Sequence, residues 1–199
     1  MKSDIKKAIE SRRSFYAISN HTTIQDKELE EMIQFAIKHT PSAFNSQSAR
    51  AVLLLGEHHL KLWGIVADAL RKKMSEKAFK STEMKLNAFA AGYGTILFYE
   101  DQAIIEGLQN QFPSYSQTFP IWSQHSAGMH QYVLWILIED AGLGASLQHY
   151  NPIIDDEVRQ TWNLPSTWKL VAQMPFGKPT AQPGEKSFNP IDERVLVFK

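Results

Sequence analysis

A sheet flanked by helices, in the α+β class, follows from three features of this 199-residue chain. Helical patterns outnumber strand patterns; short strand-like runs recur between the helices; and the length suits a single domain, 1–199, with 43% apolar residues to fill one core. The 21 basic and 21 acidic residues cancel, so there is no general attraction for nucleic acid or an anionic membrane, and any basic site must be local. There is no cysteine, which removes disulfides, thiolate metal sites and thiol chemistry together. A redox reaction would therefore need a borrowed cofactor.

Taking the chain in order, Ile5, Ala8 and Ile9 recur at helical spacing behind Ser3 or Asp4 as a cap, giving a helix that ends near Arg12 and Arg13. Two readings of the arginines stand. They complement the helix dipole and meet solvent, or a planar guanidinium grips a phosphate in bidentate fashion beside the Ser14 hydroxyl. The charged N-terminus has no apolar stretch behind it, so no secretory signal is read and a cytoplasmic protein is expected. Leu29, Met32, Ile33, Ala36 and Ile37 form a second amphipathic stripe, which Pro41 should end at His39 or Thr40.

Residues 40–50 then read as a polar loop. Ser42, Asn45, Ser46, Gln47, Ser48 and Arg50 offer neutral donors and acceptors plus one cation, a set suited to a flat heteroaromatic ligand; the plainer reading is an ordinary polar loop. The apolar run 52–55 that follows predicts an interior strand.

Residues 58–74 and 76–91 carry helical patterns. His58 and His59, adjacent on a helix, cannot face one metal and read as a solvated helix start. Gly92-Tyr93-Gly94 marks a turn before a strand at 95–99; with the glycines preceding a strand, it is not a dinucleotide fingerprint. A short helix is expected at 104–111. The segment 112–120 is the best candidate for a mobile loop or lid, and Phe112, Tyr115, Phe119 and Trp122 suit either covering a ring system or packing at a dimer interface.

The helix from Trp122 towards Asp140 is apolar on most faces and should be central, yet its apolar run is far shorter than the roughly 20 residues that span a bilayer. Gly142 and Gly144 stop it. His125 and His130 are poorly spaced for one helix face and no H-E-x-x-H pattern occurs, so no metal site is predicted. Ile153, Val158 and Trp162 suggest a short surface helix, 168–174 a strand and 194–198 a final strand. Ser146 lacks the G-x-S-x-G context of a hydrolase nucleophile.

Four segments carry a resemblance. Ser11-Arg12-Arg13-Ser14, Pro41-Ser42-x-x-Asn45-x-Gln47, Ala141-Gly142-Leu143-Gly144-Ala145-Ser146 and Phe176-Gly177-Lys178-Pro179, in this order, resemble the nitroreductase family. The ending Gly184-Glu185-Lys186-Ser187-Phe188, followed by Asp192-Glu193-Arg194-Val195, is most similar to its short subgroup related to fatty-acid-repression proteins. The resemblance implies a nitroreductase-like fold with a mixed or antiparallel central sheet, and an intertwined homodimer with FMN between subunits. It implies Arg12, Ser14 and Lys186 at the FMN phosphate and Arg13 nearer the ring. Ser42, Asn45 and Gln47 would address the ribityl chain or ring, the backbone near Leu147 and Gln148 would close the other side, and Gly177 and Lys178 would match the family's late strand end. NADH or NADPH would be the donor and a nitroaromatic, quinone or related small molecule the acceptor, in ping-pong order, with no side-chain nucleophile or base required. The same resemblance permits a second function, a flavin-binding regulatory protein in lipid or stress signalling with slow redox turnover.

Overall fold

The computed structural model describes residues 5–199, so the expected Ser3 or Asp4 cap lies outside the described residues. Helix α1 (Ile5–Ser11) leads through the two-residue β1 (Ile18–Ser19) to α2 (Asp26–His39). There Thr40 turns to φ −78°, ψ 127°, the extended geometry that a following proline imposes. A 3-10 turn (Ala43–Asn45) precedes β2 (Ala49–Leu55), α3 (Gly56–Arg71), α4 (Glu76–Ala90) and β3 (Gly94–Asp101). Next come α5 (Gln102–Gln111), a second 3-10 turn (Pro113–Tyr115), α6 (Phe119–Asp140), β4 (Gly144–Ala145), α7 (Asp155–Thr161) and β5 (Trp168–Pro179).

The sheet runs β1-β5-β3-β2, with β4 also paired to β5, and every pairing of named strands among the described residues is antiparallel. The one parallel contact is an isolated bridge between Ser14 and Ala145. β3 is buried along its whole length, which explains its unbroken apolar run. Its alternate residues serve two cores: Leu97 and Tyr99 meet α3, α4 and α7, whereas Ile96 and Phe98 meet α2 and α6. α6 lies across the second face and is central, as expected, with Leu134 and Ile138 fully buried. No helix among the described residues is long and apolar enough to cross a membrane.

Four sequence expectations are corrected. The run 52–55 is not interior: β2 pairs only with β3 and forms the edge of this chain's sheet. An apolar run marks burial on two faces, and an edge strand covered by helices satisfies that equally well. The segment 194–198 is not a strand; the Arg194 and Val195 amides both donate back to Ile191 O at 3.0 Å, and Val195, Leu196, Val197 and Phe198 are exposed.

His59 is not solvated but buried, its ring nitrogens 2.9 Å from Thr95 Oγ1 and 3.2 Å from Ala90 O. Burial lowers its pKa, the backbone at Ala90 and Phe89 opposing only in part. It joins α3 to α4 and β3, while exposed His58 accepts from Trp162 Nε1 at 3.1 Å. Finally, 112–120 is not an irregular loop. It holds a 3-10 turn and the first residues of α6, and its rings pack on Phe44.

Candidate functional site

The end of α1 and the segment after β5 meet. Arg12, Arg13 and Ser14, with 181–186 opposite, line a cleft of about 550 Å³. Two contacts set its shape. The Phe15 amide donates to Ala145 O at 2.9 Å, fixing the chain after α1 to β4, and Arg13 Nη2 donates to Gly184 O at 2.6 Å, drawing in the loop that carries Lys186. Arg13 thus braces the cleft wall in addition to lending it charge.

Arg12 lies over the Trp135 ring, 4.5 Å from its centroid, and its buried Nε has no acceptor among the described residues. A buried guanidinium nitrogen without an acceptor costs free energy that an anion would recover. Burial pushes the nearby Glu139 carboxyl up, with Arg12 and the Ser11 hydroxyl offsetting part of the shift. Lys186 is exposed, its Nζ 5.0 Å from the Phe188 ring centroid. Three cations and a hydroxyl at one cleft fit a phosphate group.

Residues 144–148 run along β5. The Ser146 amide donates to Pro175 O at 3.3 Å, and Gln148 exchanges two backbone bonds with Gln173 at 2.7 and 2.9 Å. By the alternation of an antiparallel strand, the Leu147 amide therefore turns away from β5, towards the edge on which Ala145 receives Phe15. A backbone donor two residues beyond the Ser14 bridge suits a planar ligand lying along that edge. The Ser146 side chain is fully buried and takes a 3.1 Å bond from Gln148 Nε2, so neither side chain is free.

The 42–47 loop is elsewhere. Phe44, Asn45 and Gln47 all adopt positive φ, at 55°, 50° and 49°, a conformation costing non-glycine residues about 1 kcal/mol or more each. Several contacts impose it. Ser42 Oγ accepts from the Gln47 amide at 3.0 Å, and Arg50 Nη1 donates to Gln47 O at 2.7 Å. Phe44 stacks on Trp122 at 5.8 Å and meets Phe112 and Phe119 at 5.1 and 5.2 Å. Asn45 and Gln47 are thereby left exposed. Arg50, read from sequence as part of the ligand surface, instead sits in β2 and pairs with Asp101 at 3.1 Å.

The two halves lie at opposite corners of the sheet. Ser14 is joined through Ala145 and Phe176 to Gly94 at one end of β3, whereas Ser48 O accepts the amide of Asp101 at the other. Those ends are about 23 Å apart along the strand, and the four strand spacings between the halves add about 19 Å across. Arg12, Arg13, Ser14, Lys186 and the Leu147 amide share one side of the molecule, and Ser42, Asn45 and Gln47 do not join them.

Gly177 and Lys178 belong to β5 where it meets β1. A Cβ at Gly177 would lie 2.1 Å from Ser19 O, so the glycine is required by that close approach, and the exposed Lys178 pairs with Ser19 through its backbone. Neither lines the cleft. A larger hollow of about 750 Å³ lies between β1, α3 and the end of α4; it holds Asp26, His59 and Tyr93 but no arginine or lysine, so it suits an anion poorly. Sequence reasoning missed Trp135, whose ring supports Arg12. Its place one face-turn before Glu139 on α6 gave no signal by itself.

The chain as a whole is similar to known proteins. Residues 9–178 match the Nitroreductase family. The chain is similar to nitroreductase CinD from Lactococcus lactis, at 42% identity with a TM-score of 0.91 over 98% of this chain and 100% of that one, and CinD has been solved with nicotinic acid, chloramphenicol and 4-nitrophenol. It is 34% identical over 193 residues to nitroreductase FRM2 of Saccharomyces cerevisiae, covering 96% of this chain and 95% of that one. A nitroreductase-type protein of Desulfovibrio desulfuricans solved with FMN shares the fold, at 18% identity and a TM-score of 0.73 over 100% and 99% of the chains.

Proposed function

This chain belongs to the nitroreductase family, and from that premise we propose that it is an FMN-dependent oxidoreductase using NADH or NADPH to reduce nitroaromatics, quinones or related acceptors. The observation that carries this reading is the convergence of Arg12, Arg13, Ser14 and Lys186 on one cleft, with the buried Arg12 Nε lacking an acceptor among the described residues. When bound, FMN would supply the redox chemistry between a nicotinamide donor and the acceptor.

The chain's own residues bind and orient. Arg12 and Ser14 hold the phosphate, Lys186 closes on it from the loop that Arg13 pins, and the Leu147 amide donates to the ring edge. No side-chain nucleophile or base is needed. Donor and acceptor then use one open face in turn, a ping-pong order. The complexes of CinD with chloramphenicol and 4-nitrophenol make nitroaromatics the first acceptor class to screen.

The functional unit is a homodimer. Support comes from the separation of the two half-sites, longer than an extended FMN, so that the 42–47 loop must come from a second copy. It comes also from apolar surface left uncovered among the described residues, Ile121, Met129 and Tyr132 on α6 and Val195 to Phe198 in the tail, and, separately, from a β2 edge with no strand beside it.

The test is the visible spectrum of the purified protein before and after anaerobic NADH or NADPH, with the released cofactor identified. Bound FMN that bleaches with either donor supports the reductase. Bound FMN that resists both moves the reading to a flavin-binding regulatory protein, and colourless protein that fails to take up added FMN removes both.

A further inference from the structure

The loop that offers Ser42, Asn45 and Gln47 is anchored on a buried acid. Glu100, in β3, is 0% exposed; Ser48 Oγ donates to its Oε2 at 2.6 Å, and its Oε1 is buried with no partner among the described residues. Ser48, also 0% exposed, is 3.4 Å from Ser46 Oγ, and its carbonyl accepts from the Asp101 amide at 2.9 Å. The C-terminal end of the strained loop is thus held to β3 through Ser48, with Glu100 as the buried member of the contact.

A carboxylate needs several donors when withdrawn from water, and this one has a single hydroxyl. The alternation of β3 puts Glu100 on the same face as Ile96 and Phe98, in the core against α2 and α6. Helix α6 brings no carboxylate, lysine or arginine before Glu139, only His125, His130 and Tyr132, and His130 is engaged by Ser126 O at 2.8 Å. The end of α2 carries Lys38 and His39, both exposed, and α5 carries exposed Glu106. On the strands, Arg50 favours the ionised form and Asp101 opposes it, while Lys169, opposite Glu100 in register, is exposed. The neutral acid fits this site and the carboxylate does not.

We propose that Glu100 is a positioning residue whose protonated carboxyl holds the 42–47 loop closed, so that FMN affinity is coupled to one proton. The inference rests on the proposed function and adds a control to it. Burial raises the Glu100 pKa to about 7, the Ser48 bond and Arg50 opposing. In the open loop the carboxyl is hydrated and ionises in the ordinary carboxylate range. The closed form is therefore unpenalised below that range, is penalised increasingly as pH rises towards 7, and bears a constant penalty above it. The cofactor-free loop opens over this interval and affinity falls with it.

The experiment is an FMN titration at pH 5, 6, 7 and 8 for wild type and Glu100→Gln. Gln keeps an acceptor for Ser48 without a titrating proton, and the ratio of the two Kd values cancels the titration of the FMN phosphate itself. The ratio of wild-type to variant Kd should rise by up to about 40-fold from pH 5 to 7 and by no more than about twofold from pH 7 to 8. Ser48→Ala, which cuts the connection but leaves Glu100, should weaken binding at pH 5 and flatten the profile. Infrared difference spectra of the wild-type protein between pH 6 and 8 should show loss of a protonated carboxyl band that Glu100→Gln lacks, a readout independent of FMN.

A ratio constant across pH, or a carboxyl already ionised at pH 5, overturns the inference while leaving the proposed function intact. A wild-type chain that binds no FMN at any pH overturns the function and this inference with it.

Discussion

Arg12 combines three environments at one side chain: the Trp135 ring 4.5 Å from Cζ, the Glu139 carboxyl nearby, and a buried Nε without an acceptor among the described residues. The ring fixes the guanidinium plane and the orphaned nitrogen leaves a directed donor, so Arg12 contributes more than charge. Replacing Arg12 with Ala should weaken FMN binding by about 100-fold, the worth of a charge-assisted pair, and Arg12→Lys should fall between. Riboflavin, which lacks the phosphate, should bind both variants about as well as it binds wild type. An equal loss for riboflavin would mean that Arg12 shapes the ring pocket instead. The sequence sets Arg12 and Ser14 close together at a helix end, and the resemblance assigns both to the phosphate together with Lys186. Lys186 reaches the same cleft through the Arg13 contact to Gly184, 171 residues away in sequence, which no local pattern can report. His59 failed for a related reason: adjacency on a helix shows that two histidines diverge, not which of them turns inward.

At the scale of elements, the strands were legible in proportion to their burial. β3 serves a core on each face and announces itself by its apolar run, whereas β1 and β4, two residues each, are shorter than one alternation of side chains and leave no trace. These short strands depend on close backbone contact. Gly177 is the point of closest approach, and a Cβ there would stand 2.1 Å from Ser19 O and 2.9 Å from the Tyr93 amide nitrogen, both backbone atoms with little freedom to yield. Gly177→Ala should cost about 3 kcal/mol in chemical denaturation, at the upper end of overpacking effects. A loss below about 1 kcal/mol would show that β1 shifts freely and that the glycine has another purpose. The segment 112–120 illustrates the opposite failure. Its prolines and polar residues suggest a lid, but its aromatic rings find Phe44, a partner whose left-handed φ of 55° is invisible in sequence.

For the whole molecule, the separation of the two halves of the candidate site has a consequence that neither half has alone. The Arg12 cleft and the 42–47 loop occupy opposite corners of one sheet, so a site containing both contains two chains. The resemblance groups the motifs into one site, yet nothing in their order says whether one chain or two would supply them. Mixed dimers test this arrangement. An Arg12→Ala homodimer has two damaged phosphate clefts, and an Asn45→Ala/Gln47→Ala homodimer has two damaged loops, so each should bind FMN weakly. Co-expressed and purified as a heterodimer with two different tags, the chains should form one site from two intact halves and one from two damaged halves. FMN stoichiometry measured at a concentration where only wild-type affinity fills the site should be about one per heterodimer, against two for wild type and none for either variant homodimer. Were both halves supplied by the same chain, each protomer of the heterodimer would carry a single defect and stoichiometry would stay near zero, leaving the dimer without a part in holding the cofactor.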